Sequence, residues 1–191
     1  MPTLIDAEQS VQNFVVRVDE ALVAQICLDF TVYTSGSFFE EKTRPGVIDF
    51  YRQVQTLFGP QWTFYETEAT GGPKRADARA LELFPSWFSE AARRREQYVL
   101  VLRDGQKIDD IGTMAFECGT YSRGNFLGFL RLSLPMKMVA AQSKPYAELC
   151  SSLVRSLPFH SARAGYSLRW NEYGVRHHRK GLQYAEIISQ W

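Results

Sequence analysis

Between Leu22 and Tyr33 apolar and polar side chains alternate. Ile26, Leu28, Phe30 and Val32 fall on one face, and Cys27, Asp29, Thr31 and Tyr33 on the other. A period of two marks a strand with one buried face. The run before it, FVVRV from Phe14 to Val18, has the same character, and Asp19-Glu20 separates the two. Together they predict a hairpin.

The period then changes. Thr43-Arg44-Pro45-Gly46 opens a helical pattern, with Thr43 as N-cap candidate and Pro45 in the first turn. Val47, Tyr51, Val54 and Phe58 form one apolar stripe, which Gly59-Pro60 stops. Gln61 to Glu66 is a strand candidate, and Thr70-Gly71-Gly72-Pro73 is a loop. Leu81, Phe84, Trp87, Phe88 and Ala91 predict a second helix that Pro85 divides, ending in the solvated Arg93-Arg94-Arg95.

Tyr98 to Leu102 reads as a short buried strand, and Asp104-Gly105 as a turn. Thr113 to Cys118 and Phe126 to Leu134 are two more strands, with Gly119 to Asn125 as their connection and Pro135 as a stop. Tyr146, Leu149, Cys150, Leu153, Val154 and Leu157 step by three and four, the strongest helical period in the chain. Gly165 to Trp170 is a last strand, and Tyr184 to Trp191 begins a terminal helix. Several adjacent strands joined by short links predict an α+β fold, a mostly antiparallel sheet with helices packed on one face. With 191 residues and no internal repeat or long linker, residues 1–191 read as a single domain.

Composition narrows the function classes. A formal net charge of +1 offers no general basic surface for nucleic acid. No secretory leader opens the chain and no apolar run reaches ~20 residues, so the expectation is a cytoplasmic protein with no membrane partner. Cys27, Cys118 and Cys150 are far apart and lie in apolar runs, which suits small core residues rather than a disulfide framework or zinc site. His177-His178 in RHHRK point away from each other and make a poor metal site. Neither a G-x-S-x-G elbow nor a phosphate-cradling glycine loop occurs. The expectation is therefore a non-enzyme without cofactor or metal.

The order of certain segments is more specific. LRLSLPMKMVAAQ (Leu130 to Gln142), SLPF (Ser156 to Phe159) and AGYSLRW (Ala164 to Trp170) resemble the type VI secretion immunity family, the TsiV-like proteins. ICLDFTVY (Ile26 to Tyr33), RPGVIDFYRQV (Arg44 to Val54) and WTFYETE (Trp62 to Glu68) fit the same order. The resemblance covers roughly residues 20 to 191 and rests on order and spacing rather than on any one motif. It implies an antitoxin that binds and occludes a cognate secreted toxin, a nuclease of the PD-(D/E)-x-K type. Family members commonly run further, and ISQW (Ile188 to Trp191) reads as the middle of a helix, so the expectation is either a short member or a chain truncated at its C-terminus.

An inhibitor of a basic nuclease groove needs buried anchors and local acidic charge. The clusters available are Glu40-Glu41 beside Phe38-Phe39, Glu66 and Glu68 beside Phe64-Tyr65, and Asp109-Asp110. The toxin-binding candidates are accordingly Phe38, Phe39, Glu40, Glu41, Glu66, Glu68, Asp109 and Asp110. The alternative is a small-molecule or nucleic-acid binding domain, with RHHRK and Arg93 to Arg95 in its favour. An enzyme would instead show a deep pocket where polar groups converge.

Overall fold

The computed structural model describes residues 14–18, 20–89, 96–122, 127–140 and 143–170. Eight strands form one antiparallel sheet. β1 is Val15–Val18, β2 Ala21–Thr34, β3 Phe64–Thr67 and β4 Lys74–Arg75. β5 is Gln97–Arg103, β6 Ala115–Tyr121, β7 Phe129–Pro135 and β8 Phe159–Trp170. The helices are α1 (Arg44–Phe58), α2 (Ala78–Ser86), α3 (Met136–Ala140) and α4 (Ser143–Val154). The fold is α+β, and the sheet curls into a half-barrel.

The order across the sheet is β1-β2-β7-β6-β5-β3-β4, with β8 also on β2. β7 and β8 both pair with Cys27 to Tyr33, so they flank β2 on opposite edges. The hairpin of β1 and β2 is present, with Glu20 at a positive φ of 70° in its turn.

The alternation of β2 sorts the two faces. Phe30 and Val32 point to the helical side, where they meet Leu130 and Leu132 of β7, Phe116 of β6 and Leu100 of β5. The predicted stripe of α1 is buried against this face, as is Leu153 of α4, fully enclosed. Aromatic rings fill the layer between: Tyr51 stacks on Phe84 with centroids 4.5 Å apart, and Trp87 lies 5.4 Å from Tyr98. Such ring pairs add to the area they bury.

Several boundaries differ from those the sequence predicts. Gly119 belongs to β6 rather than to a connection, because Phe129 across the ladder lies over it: a Cβ there would come within 2.7 Å of that ring. Pro85 is the penultimate residue of α2, which ends at Ser86, short of the predicted Ala91. Gln61 closes a 3-10 turn, and β3 begins only at Phe64. β8 starts at Phe159, six residues before the predicted Gly165, because its whole length pairs with β2. The Arg93–Arg95 run, RHHRK and the expected terminal helix lie outside the described residues.

Candidate functional site: the open face of the half-barrel

The face of the sheet away from the helices is polar, and its registers align into rows. One row runs Arg163, Thr31, Arg131, Glu117, Val101, Glu66, crossing β8, β2, β7, β6, β5 and β3. The next runs Gly165, Asp29, Ser133, Ala115, Arg103, Phe64. Directly paired residues on one face of a sheet lie close enough to interact. The first row therefore sets Arg131 beside Glu117, whereas in the second Ser133 and Ala115 separate Asp29 from Arg103.

Curling brings the two edges of the sheet around one cavity of about 430 Å³. Glu66 of β3 and Ser167 and Arg169 of β8 line it together, although four strands separate β3 from β8. The β5–β6 loop helps to close one end by reaching across the open face. Gln25 Nε2 donates to the carbonyls of Gly112 (3.0 Å) and Thr113 (2.9 Å). Arg169 Nη2 donates to the Ile111 carbonyl at 3.0 Å. Gly112 needs its positive φ of 72° there, and a Cβ would strike Asp104, whose carboxylate accepts from the Met114 N–H at 2.7 Å.

Arg131 anchors the carboxylates on the β2 side. Its Nη1 lies 3.3 Å from Glu117 Oε2, its Nε 3.9 Å from Asp29 Oδ2, and its Nε also donates to Thr31 Oγ1 at 3.3 Å. Arg103 donates to the Ile108 carbonyl, and its guanidinium lies 5.6 Å from the Phe64 ring centroid, with Arg75 at 4.6 Å. Burial lowers the Arg103 pKa while Glu66 opposes that, and the side chain stays charged. Glu66 behaves in the opposite sense: burial pushes its carboxyl above the usual range, and Arg103 only partly offsets this. Among the described residues no group of three or more His, Cys, Asp or Glu side chains is arranged to hold a metal ion.

Cys27 also lies on this face, fully buried, with its Sγ 3.2 Å from Asp29 Oδ1 and 3.2 Å from Ser167 Oγ. Burial, aided by the Asp29 charge and opposed by the Ser167 hydrogen bond, pushes its thiol up to about 12. A thiol with that pKa is protonated at neutral pH and is a poor nucleophile.

The eight residues singled out from the sequence do not converge. Phe38 has no exposed surface and sits in the core, 6.0 Å from Phe84. It is a packing residue, so it cannot serve as a surface anchor while the chain is folded. Phe39 is half-buried against Tyr98 (4.8 Å) and Phe88 (5.8 Å). Glu40 caps its own turn, accepting from the Ser37 N–H at 3.0 Å and lying 3.3 Å from Lys42. Glu41 is exposed beside it.

Asp110 is buried and spends its carboxylate on its own loop, accepting from Gly112 N–H at 2.8 Å, whereas Asp109 is exposed. These two groups lie at opposite ends of β6, since Ser37 bonds Tyr121 and the Asp110 loop leads into Ala115. Glu66 and Glu68 share the open face at the β3 edge, where Glu68 is exposed and accepts from the Val99 N–H at 3.0 Å. Of the eight, only Glu66 lines the 430 Å³ cavity. Asp29, Arg103, Glu117, Arg131 and Arg169 are the cavity residues that the sequence reading missed. The signal for Asp29 was present in the alternation of β2; the others need the register.

No family model matches the chain, and no curated protein matches it in sequence. Among the described residues no helix is long and apolar enough to cross a membrane. Among solved structures the chain is similar to the T6SS protein PA0821 of Pseudomonas aeruginosa, with 18% identity and a TM-score of 0.70. The match covers 96% of this chain and 55% of that one, so this chain spans just over half the length of its structural neighbour. At that identity the likeness establishes a shared fold: the curled antiparallel sheet with its helices on one face.

Proposed function

We propose that this chain is a non-enzymatic immunity protein of type VI secretion, acting in the cytoplasm by binding a cognate toxin and occluding its active site. The observation that carries the reading is the fold shared with PA0821, a protein whose own name places it in type VI secretion. The ordered segments that resemble the TsiV-like proteins support it independently, and that resemblance makes a nuclease the expected toxin. Occlusion asks for a shaped, charged surface on a rigid scaffold rather than for a reactive group. The open face of the half-barrel supplies such a surface, with carboxylates and guanidiniums fixed by a seven-strand path.

Co-expression tests the reading. When the genes flanking this one are expressed singly in a bacterial host, one product should arrest growth, and co-production of this chain should restore it. Failure to restore growth, with both proteins present and folded, overturns the proposal. The cavity also favours a second reading, a small-molecule binding domain, because about 300–1,000 Å³ is the usual size of a ligand site. Such sites are mostly apolar, whereas this one is lined by six charged side chains. That difference puts the protein partner first.

A further inference from the structure

The loop between β5 and β6 presents three successive backbone carbonyls, those of Ile111, Gly112 and Thr113, to two neighbouring strands. Gln25 of β2 and Arg169 of β8 are direct partners across their ladder, and both donate to this run. Gln25 is only 5% exposed. Its Nε2 reaches the Gly112 and Thr113 carbonyls at 3.0 and 2.9 Å, which uses both amide hydrogens. Arg169 reaches the Ile111 carbonyl through Nη2 at 3.0 Å and the Gly112 carbonyl through Nη1 at 3.5 Å. A backbone bond lies beside them, from the Ile111 N–H to the Leu22 carbonyl of β2 at 2.9 Å. Further along the loop Lys107 pairs with Glu20 at 3.0 Å, but both side chains are exposed and such a pair contributes little.

A second set of bonds closes the loop upon itself. The Asp110 carboxylate accepts from the Gly112 N–H at 2.8 Å and from the Gln106 N–H at 3.4 Å. The Asp104 carboxylate accepts from the Met114 N–H at 2.7 Å and from the Thr113 hydroxyl. Gly105 packs so close that a Cβ there would lie 2.8 Å from the Asp110 carbonyl oxygen. These contacts hold the loop's shape from within, and none of them ties it to β2 or β8. We propose that the β5–β6 loop is a preformed strap, and that Gln25 and Arg169 are the latch that holds it as a unit across the open face. Burial of the Ile111 side chain also favours docking, but apolar burial is non-directional. The three carbonyls need donors at set positions, and leaving a buried acceptor without one is costly. Ile111 and Arg169 both line the 430 Å³ cavity, so the latched strap forms part of its wall, and releasing the latch opens the cavity at that end. The device belongs to this chain alone and goes beyond the immunity reading, since it needs no toxin.

Amide hydrogen exchange of the full chain, resolved by residue with NMR, tests the latch. The Ile111 N–H reports docking, because its acceptor belongs to β2. The Gly112 and Met114 N–H groups report the loop's own shape, because their acceptors, Asp110 and Asp104, belong to the loop. Leu100, fully buried on β5, reports unfolding of the whole chain. Gln25→Met and Arg169→Met each keep a long side chain and remove its donors. Both should speed exchange at Ile111, Gln25→Met at least about tenfold, while Gly112, Met114 and Leu100 stay within about threefold of the wild type. Lys107→Ala removes the exposed pair and should leave all four amides within about twofold. Unchanged exchange at Ile111 in either latch variant overturns the proposal. An equal rise at Met114 or Leu100 overturns it too, because the strap would then come apart, or the chain unfold, instead of being released as a unit.

Discussion

Tyr51 of α1 compensates for Pro85 of α2: its hydroxyl donates at 2.6 Å to the carbonyl of Leu81, four residues before the proline. In an α-helix that carbonyl would accept the N–H of residue 85, and proline has none. The phenol fills the vacancy from a neighbouring helix, and Pro85 is accommodated in the last turn of α2, which closes at Ser86. Burial raises the Tyr51 pKa, which keeps the hydroxyl a donor across the working pH range. Tyr51→Phe should cost about 1–3 kcal/mol by orphaning a part-buried carbonyl. Pro85→Ala restores the backbone donor, so in the double variant most of that loss should disappear. Urea unfolding of the four proteins measures the coupling. Additive effects would show that the bond does not compensate for the proline.

Gly46 tests how closely α1 and the end of α4 approach. Inside a helix, Gly→Ala normally stabilises by up to about 1 kcal/mol. Here a Cβ would lie 2.5 Å from the Ser156 carbonyl oxygen and 2.7 Å from the Leu157 Cα. Both are backbone atoms, so relief requires moving the helix end. The clash should win, and Gly46→Ala should destabilise by about 1–3 kcal/mol in thermal or urea unfolding. A stabilised variant would mean the two segments are further apart than described.

How much of this was legible in the sequence depends on the range of the interaction. The stripe Val47, Tyr51, Val54, Phe58 is a local periodicity and is buried as read; of the alternation from Ile26 to Tyr33, Phe30 and Val32 are buried as read, whereas Ile26 and Leu28 are half-buried and Cys27 and Thr31 on the other face are buried too. The fold class followed from them. That Pro85 sits within the last turn of α2 was not legible locally, because Tyr51, which takes up the freed carbonyl, lies on another helix. The cavity was mostly illegible for the same reason. Glu66, Glu117 and Arg131 are brought together only by strand registers, and no local spacing encodes those. Adjacent acidic and aromatic residues proved a poor guide: Phe38 and Asp110 are buried, and Glu40 is engaged within its own turn.

The three thiols should be inert in the folded protein. Cys27, Cys118 and Cys150 are buried, and burial is the leading cause that raises the pKa of each, to about 12 for Cys27. Thiol reagents attack the thiolate, so labelling at pH 8 should proceed only as fast as the chain opens. Mass spectrometry after brief native exposure should show unmodified protein, and three adducts after denaturation. Rapid native labelling of Cys27 would contradict the packing around Ser167.

Glu66 should cost stability when it is charged. Its folded-state pKa is raised, first by burial, above the unfolded value of about 4.3. Below the unfolded pKa the carboxyl is neutral in both states and no penalty arises. The penalty grows as pH rises through the interval between the two values and is complete above the folded pKa. Glu66→Gln should therefore raise the melting temperature at pH 7 and match the wild type near pH 4. The side chain is only half-buried, so solvent screening limits the gain to under about 1 kcal/mol. A variant less stable at pH 7 would mean the charge is already compensated.

The proposed function is capture of a toxin. The decisive measurement is titration calorimetry of the chain against the inactivated form of the flanking-gene product that arrests growth. A one-to-one complex is expected, with a Kd of about 1 nM or tighter, roughly −12 kcal/mol. No heat of binding at micromolar concentrations, with both proteins folded, would contradict it.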